Sequence, residues 1–180
     1  MKRLLAVVTF MLIVGSTATA DWTAEPGDRH ELKAEQAVAA FRSKVPRTQP
    51  YFNDAYGFAV FPSVTRVGFG FGGAYGKGLV IEGDRAIGLT KYWQFTSGIQ
   101  AGARNFSMII FFKDKDALEY FRSGKLQFMG QAGLAVATVG VAGTPGYSDG
   151  VAVMTMTRLG LMGEFTVSGA KFTYKPLTGR

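Results

Sequence analysis

One imidazole, His30, and no cysteine limit the chemistry open to this 180-residue chain. Disulfides, thiolate metal sites, cysteine nucleophiles and a cysteine-linked lipid anchor are excluded. Hydrolytic and zinc chemistry usually need more than one well-placed imidazole, so both have little to work with. Gly146-Tyr147-Ser148-Asp149-Gly150 fits the G-x-S-x-G pattern of a nucleophile elbow. That elbow needs a strand before it, a helix after it and a later histidine, whereas here a strand-like run follows and the histidine lies far upstream. The stretch reads instead as a β-turn loop.

Gly68-Phe69-Gly70-Phe71-Gly72-Gly73 fits G-x-G-x-x-G, which binds pyrophosphate only where it opens a helix. Ala74-Tyr75-Gly76-Lys77-Gly78 leads into more strand, and no Ser or Thr follows Lys77 to hold Mg²⁺ as in a P-loop. An RNA-recognition strand would need a cation at Val67 and other side chains at Gly72 and Ala74. Phe69 and Phe71 are therefore expected in the core, and nucleic acid is not expected as a partner. Glu164 alternates onto the face opposite Leu161 and Phe165, as a solvated strand residue does. No catalytic residue, metal site or cofactor is expected.

Two features remain. Twenty lysines and arginines against thirteen acids give a net charge of +7, which favours anionic partners. Twenty-four glycines sit inside strand patterns as well as between them. Gly68, Gly70 and Gly72, with Gly73 following, leave one face of their strand bare, as close approach of another backbone, a ligand or a sharp barrel bend would require.

These residues need elements to position them. Lys2 and Arg3, the apolar run Leu4 to Val14 and Ala18-Thr19-Ala20 have the pattern of a secretory signal peptide over residues 1–20. As a helix that run spans about 16 Å against about 30 Å of hydrocarbon, too short for an anchor. Cleavage would leave residues 21–180 as a single domain, periplasmic or secreted, with two fewer positive charges. Asp28 with Glu31 suggests a capping box, followed by a helical stripe of Ala34, Ala37, Val38, Phe41 and Val45 that Pro46 ends. A short helix is indicated over Thr48 to Tyr56.

Strands are expected over Phe58 to Phe61, Val64 to Gly72, Gly78 to Glu82 and Ala86 to Phe95. Pro62-Ser63 and Gly83-Asp84 serve as turns, the second a tight hairpin. Gly98 to Phe112 adds one or two strands. Asp116 to Arg122 is helical up to Gly124, and Leu126 to Gly143, Val151 to Thr157, Leu161 to Ser168 and Ala170 to Tyr174 return to strand. The fold class is α+β: a β-rich antiparallel sheet, barrel or sandwich, with an N-terminal helix and one inserted helix. An 18% share of charged residues and 47% hydrophobic ones suit such a core.

Two stretches together resemble the SYLF domain family. The first is Ala55-Tyr56-Gly57-Phe58-Ala59-Val60-Phe61-Pro62, then Val64, Arg66 and Gly68 to Gly78. The second is Thr157-Arg158-Leu159-Gly160-Leu161-Met162-Gly163-Glu164, then Val167, Gly169, Lys171-Phe172, Tyr174 and Pro176. Asp116-Ala117-Leu118 and Ser123-Gly124 stand between them in the family's order, so the likeness spans about Ala34 to Leu177. It implies non-enzymatic binding of anionic phospholipid, phosphoinositides in eukaryotic members, and some members bind actin, which an exported protein would hardly meet. Arg66 and Arg158 match positions where the family carries Lys or Arg. Lys77 falls where acidic residues are common, and Ala137 to Gly143 replaces the family's glycine-proline turn.

Arg66, Lys77 and Arg158 are thus expected on one basic, lipid-facing surface, with Lys77 in a glycine-rich turn and the protein peripheral on a membrane. The competing expectation is a structural or envelope protein-interaction domain whose glycine-lined strands meet a protein partner.

Overall fold

The computed structural model describes residues 22–128, 136–138, 147–157 and 169–177. The expected leader lies outside these residues, as do Arg158, Glu164, Thr144 to Gly146, the strand expected over Leu161 to Ser168 and most of that over Leu126 to Gly143.

Helix α1 (Arg29–Lys44) begins at Asp28, whose carboxylate accepts from the His30 and Glu31 amides at 2.8 and 3.2 Å. The return arm of the expected capping box goes elsewhere: Glu31, buried, accepts from the Glu25 amide at 2.8 Å. Ala34, Ala37, Val38 and Phe41 form the buried stripe, and the helix stops at Val45, before Pro46. A 3-10 turn (Pro46–Thr48) leads into α2 (Gln49–Asp54). Helix α3 (Lys115–Arg122) starts one residue earlier than the sequence suggests, because Asp114 caps it by accepting from the Ala117 amide at 2.9 Å.

The strands depart from expectation more. The separate runs between Phe58 and Glu82 are one strand, β1 (Gly57–Glu82), and those between Ala86 and Phe112 are one strand, β2 (Arg85–Phe112). They pair antiparallel along their lengths around the expected Gly83-Asp84 turn, where Gly83 has φ +58. Pro62-Ser63 is a bulge and not a turn: register shifts between Phe61 and Val64, and the Pro62 carbonyl accepts from Ser107 Oγ at 2.8 Å. β1 has no strand on its other edge among the described residues, so the missing proline N–H interrupts nothing.

Short strands β3 (Gln127–Phe128) and β4 (Val136–Thr138), with β5 (Val151–Thr157) and β6 (Ala170–Pro176), complete a six-stranded sheet ordered β3-β6-β2-β5-β4, with β1 paired to β2. All described pairings are antiparallel except β4 with β5. The α+β expectation holds, and no described pairing closes the sheet.

β2 carries β6 along Gly88 to Gln94 and β5 along Phe106 to Phe112; between them it pairs, among the described residues, with β1 alone. The hairpin folds back over this middle stretch, so the start of β1 packs across its own end. A Cβ on Gly78 would stand 2.7 Å from the Val60 carbonyl oxygen, and one on Gly76 would stand 2.7 Å from Val64 Cγ2. The bare glycine face thus does admit close backbone approach, at Gly76 and Gly78, further along the strand than the expected set.

Alternation divides the core. One face buries Phe58, Val60, Leu79, Ile81, Ile109 and Phe111 under α1 and α2. The other buries Phe61, Val64, Tyr92, Met108, Phe112 and Phe172 with Leu118 and Phe121 of α3. Each such side chain contributes about 1.5–3 kcal/mol by leaving water.

Candidate functional site

From the last β6 pairs, at Trp93 and Gln94, to the first β5 pair, at Phe106, the hairpin keeps its backbone pairing but loses its cover among the described residues. On the face that carries Leu79 and Ile81 lower down, Tyr75 stands opposite Trp93 with ring centroids 4.4 Å apart. Phe71 and Phe95 project beside them, 82% and 87% exposed. Phe71 is therefore not a core residue as expected; the physical reason is that no described helix or strand covers this stretch. Phe69 lies in β1, with its side chain outside the described set.

One step toward the hairpin turn, Lys77 pairs directly with Lys91, both exposed. Like charges at directly opposed positions destabilise a sheet unless something neutralises them. Lys77 is thus a strand residue and not part of a turn. His30 and Lys33, on the first turns of α1, face the same place: with Ser63, Thr65, Tyr75 and Lys77 they line a cleft of about 370 Å³. Among the described residues no carboxylate lines it, and neither Lys33 nor Lys77 is held in an ion pair. Chemically it offers two ammonium groups, an imidazole, hydroxyls and apolar walls, a set that suits an anionic group carried on an apolar body.

Of the three expected cations Arg158 lies outside the described residues, and Arg66 and Lys77 do not share a surface. Arg66 keeps the expected glycine side of its strand, yet that side turns inward and leaves it only 8% exposed, with Nε sealed and without a hydrogen-bond partner among the described residues. It shares the face of Val64 and lies near Tyr92, whose phenol is pushed up by burial against the opposing pull of the guanidinium. Alternation puts Lys77 on the opposite face. Arg104, paired with Arg66 in register, is exposed. Of the glycine set, Gly68, Gly72 and Gly73 are half-buried within β1, and a Cβ on Gly73 would meet only the Gln94 carbonyl, at 3.1 Å.

The other motifs resolve locally. The G-x-G-x-x-G run is wholly strand, with no helix to bind pyrophosphate. Asp149 and Gly150 have φ of 51° and 75°, and Ser148 and Val151 exchange backbone hydrogen bonds at 2.9 Å. This is a tight turn into β5, so Ser148 does not sit on a strand-to-helix elbow. Among the described residues no three His, Asp or Glu side chains could share a metal ion, and no helix is long and apolar enough to cross a membrane.

His30, Lys33, Lys91, Trp93 and Phe95 enter the site without having been expected there. The lone histidine and the lysine were visible on a helix, but their approach to β1 is a tertiary fact. No protein-family model and no curated protein matches the chain.

Proposed function

We propose that this protein binds anionic phospholipid headgroups without catalysing a reaction, as an exported domain working at the surface of a membrane. The observation that carries this reading is the Lys77 and Lys91 pair, set in register beside a cleft lined by His30 and Lys33 in which no described carboxylate takes part. An anion placed there removes the like-charge repulsion and meets several donors at once. The resemblance to the SYLF family points to the same ligand class, with phosphoinositides as its eukaryotic example.

Each lysine near an anionic bilayer contributes about 1 kcal/mol, screened over about 8 Å at physiological salt. Replacing Lys77 and Lys91 together by Gln should therefore weaken co-sedimentation with phosphatidylglycerol vesicles by about thirtyfold. Binding by the parent should fade with salt and be absent on phosphatidylcholine alone. A folded double variant that sediments like the parent would move the headgroup site elsewhere. Failure of the parent to bind any anionic vesicle would favour the protein-interaction reading.

A further inference from the structure

We infer that the aromatic edge of the β1–β2 hairpin, Phe71, Tyr75, Trp93 and Phe95, inserts into the interfacial layer of an anionic bilayer and sets the docking orientation of the protein. The inference rests on the headgroup reading and adds a second, apolar component to it. Phe71 and Phe95 are more than four-fifths exposed and Trp93, at the last pairs of β6, is half exposed, all on one face of the β1–β2 hairpin. Scattered exposed apolar residues are ordinary, whereas four aromatic rings gathered on a face that no described element covers mark an interaction surface.

The kind of partner follows from what surrounds the rings. Lys77 and Lys91 lie one pair further along the same face, and the cleft with His30 and Lys33 adjoins Tyr75. Between Phe71 and Lys77 on β1, and between Lys91 and Phe95 on β2, there is no acidic residue. Rings at the edge with cations set back from it reproduce the layering of a bilayer surface, where Trp and Tyr favour the headgroup level and lysines reach phosphates. A second copy of this chain applied through the same stretch would bring further lysines and no acid from it. A membrane places opposite charge and apolar depth in the required order.

The molecule supplies its own reporter. Of two tryptophans, Trp22 is buried at 7% exposure, so a change in emission on adding vesicles reads Trp93. With vesicles of phosphatidylcholine and phosphatidylglycerol, Trp93 emission should shift to the blue and be quenched when the acyl chains carry bromine near the headgroup. Trp93→Phe should remove both signals, since the remaining Trp22 is buried in the core. Changing Phe71 and Phe95 together to Ser should leave the circular dichroism of the fold intact and weaken vesicle binding about tenfold, with the salt dependence retained. Co-sedimentation without any change in Trp93 emission would overturn the insertion and leave the headgroup reading standing. No binding to anionic vesicles would overturn both. A blue shift that rises with protein concentration in the absence of lipid would assign the edge to self-association, and one produced by a single-stranded oligonucleotide but not by vesicles would assign it to nucleic acid; either result overturns the proposal.

Discussion

The base of the β1–β2 hairpin, where the start of β1 packs across its own end, and the bend in the hairpin's middle stretch use the same residue types in the same alternation. At the base Phe58, Phe111 and Phe112 are sealed; at the bend Phe71 and Phe95 stand in the open. The base has α1 and α2 on one face, α3 on the other and β5 and β6 along the β2 edge, whereas the described bend has only the partner strand. Coverage, and not hydrophobicity along the chain, decides which phenylalanines build the fold and which stand exposed.

The sharpest way to break this comparison is to truncate one ring from each region. Phe111 packs on Phe52 at 4.9 Å and Tyr51 at 5.4 Å between ring centroids. Phe111→Ala should cost about 3–5 kcal/mol in a urea titration, through lost burial and the cavity left behind. Phe71→Ala should stay within about 0.5 kcal/mol of the parent. Equal losses would show the bend to be a covered part of the core.

Next in size is the backbone crossing that defines the base. Gly78→Ala would drive a methyl group to within 2.7 Å of both the Val60 carbonyl oxygen and the Phe61 ring, and the carbonyl is fixed by its strand. A loss of about 1–3 kcal/mol is expected in the same titration. Gly73→Ala, at the edge of the bend with a single neighbour at 3.1 Å, should lose less. The reverse order would mean that the strand folds tightly at the bend and loosely at the base.

Much of this was legible beforehand because the signals are local. The Asp28 cap, the stripe ending at Pro46, the Gly83-Asp84 turn and the helix before Gly124 all follow from backbone chemistry within a few residues. The pairing that forms the site was not legible. Counting back from the hairpin turn without a bulge sets Lys77 against Thr90, whereas the shift between Val80 and Ile81 moves its partner to Lys91 and brings Trp93 opposite Tyr75. One extra residue thus decides which side chains meet. Arg66 illustrates the other limit: alternation assigned it correctly to the glycine side, but only the fold-back of the hairpin makes that side the interior.

The smallest expected effect tests how dry the base is. Tyr147 packs against Tyr51 with centroids 5.4 Å apart and rings tilted by 53°, and its enclosed hydroxyl has no hydrogen-bond partner among the described residues. Burial, helped by the neighbouring Tyr51 and Asp54, pushes its phenol from 10.0 up to about 12. The neutral form is favoured in the fold, so its contribution is intact below pH 10 and is lost as pH climbs toward 12, where the unfolded chain ionises first. Tyr147→Phe should therefore be nearly neutral in melting temperature at pH 7, since it removes a hydroxyl that no described group satisfies. Between pH 10 and 12 the variant should lose less stability than the parent, although Tyr51, Tyr92 and Tyr174, also raised by burial, keep the slope from vanishing. Parallel alkaline melting profiles would mean that water reaches the Tyr147 hydroxyl, and that this part of the base is as wet as the bend.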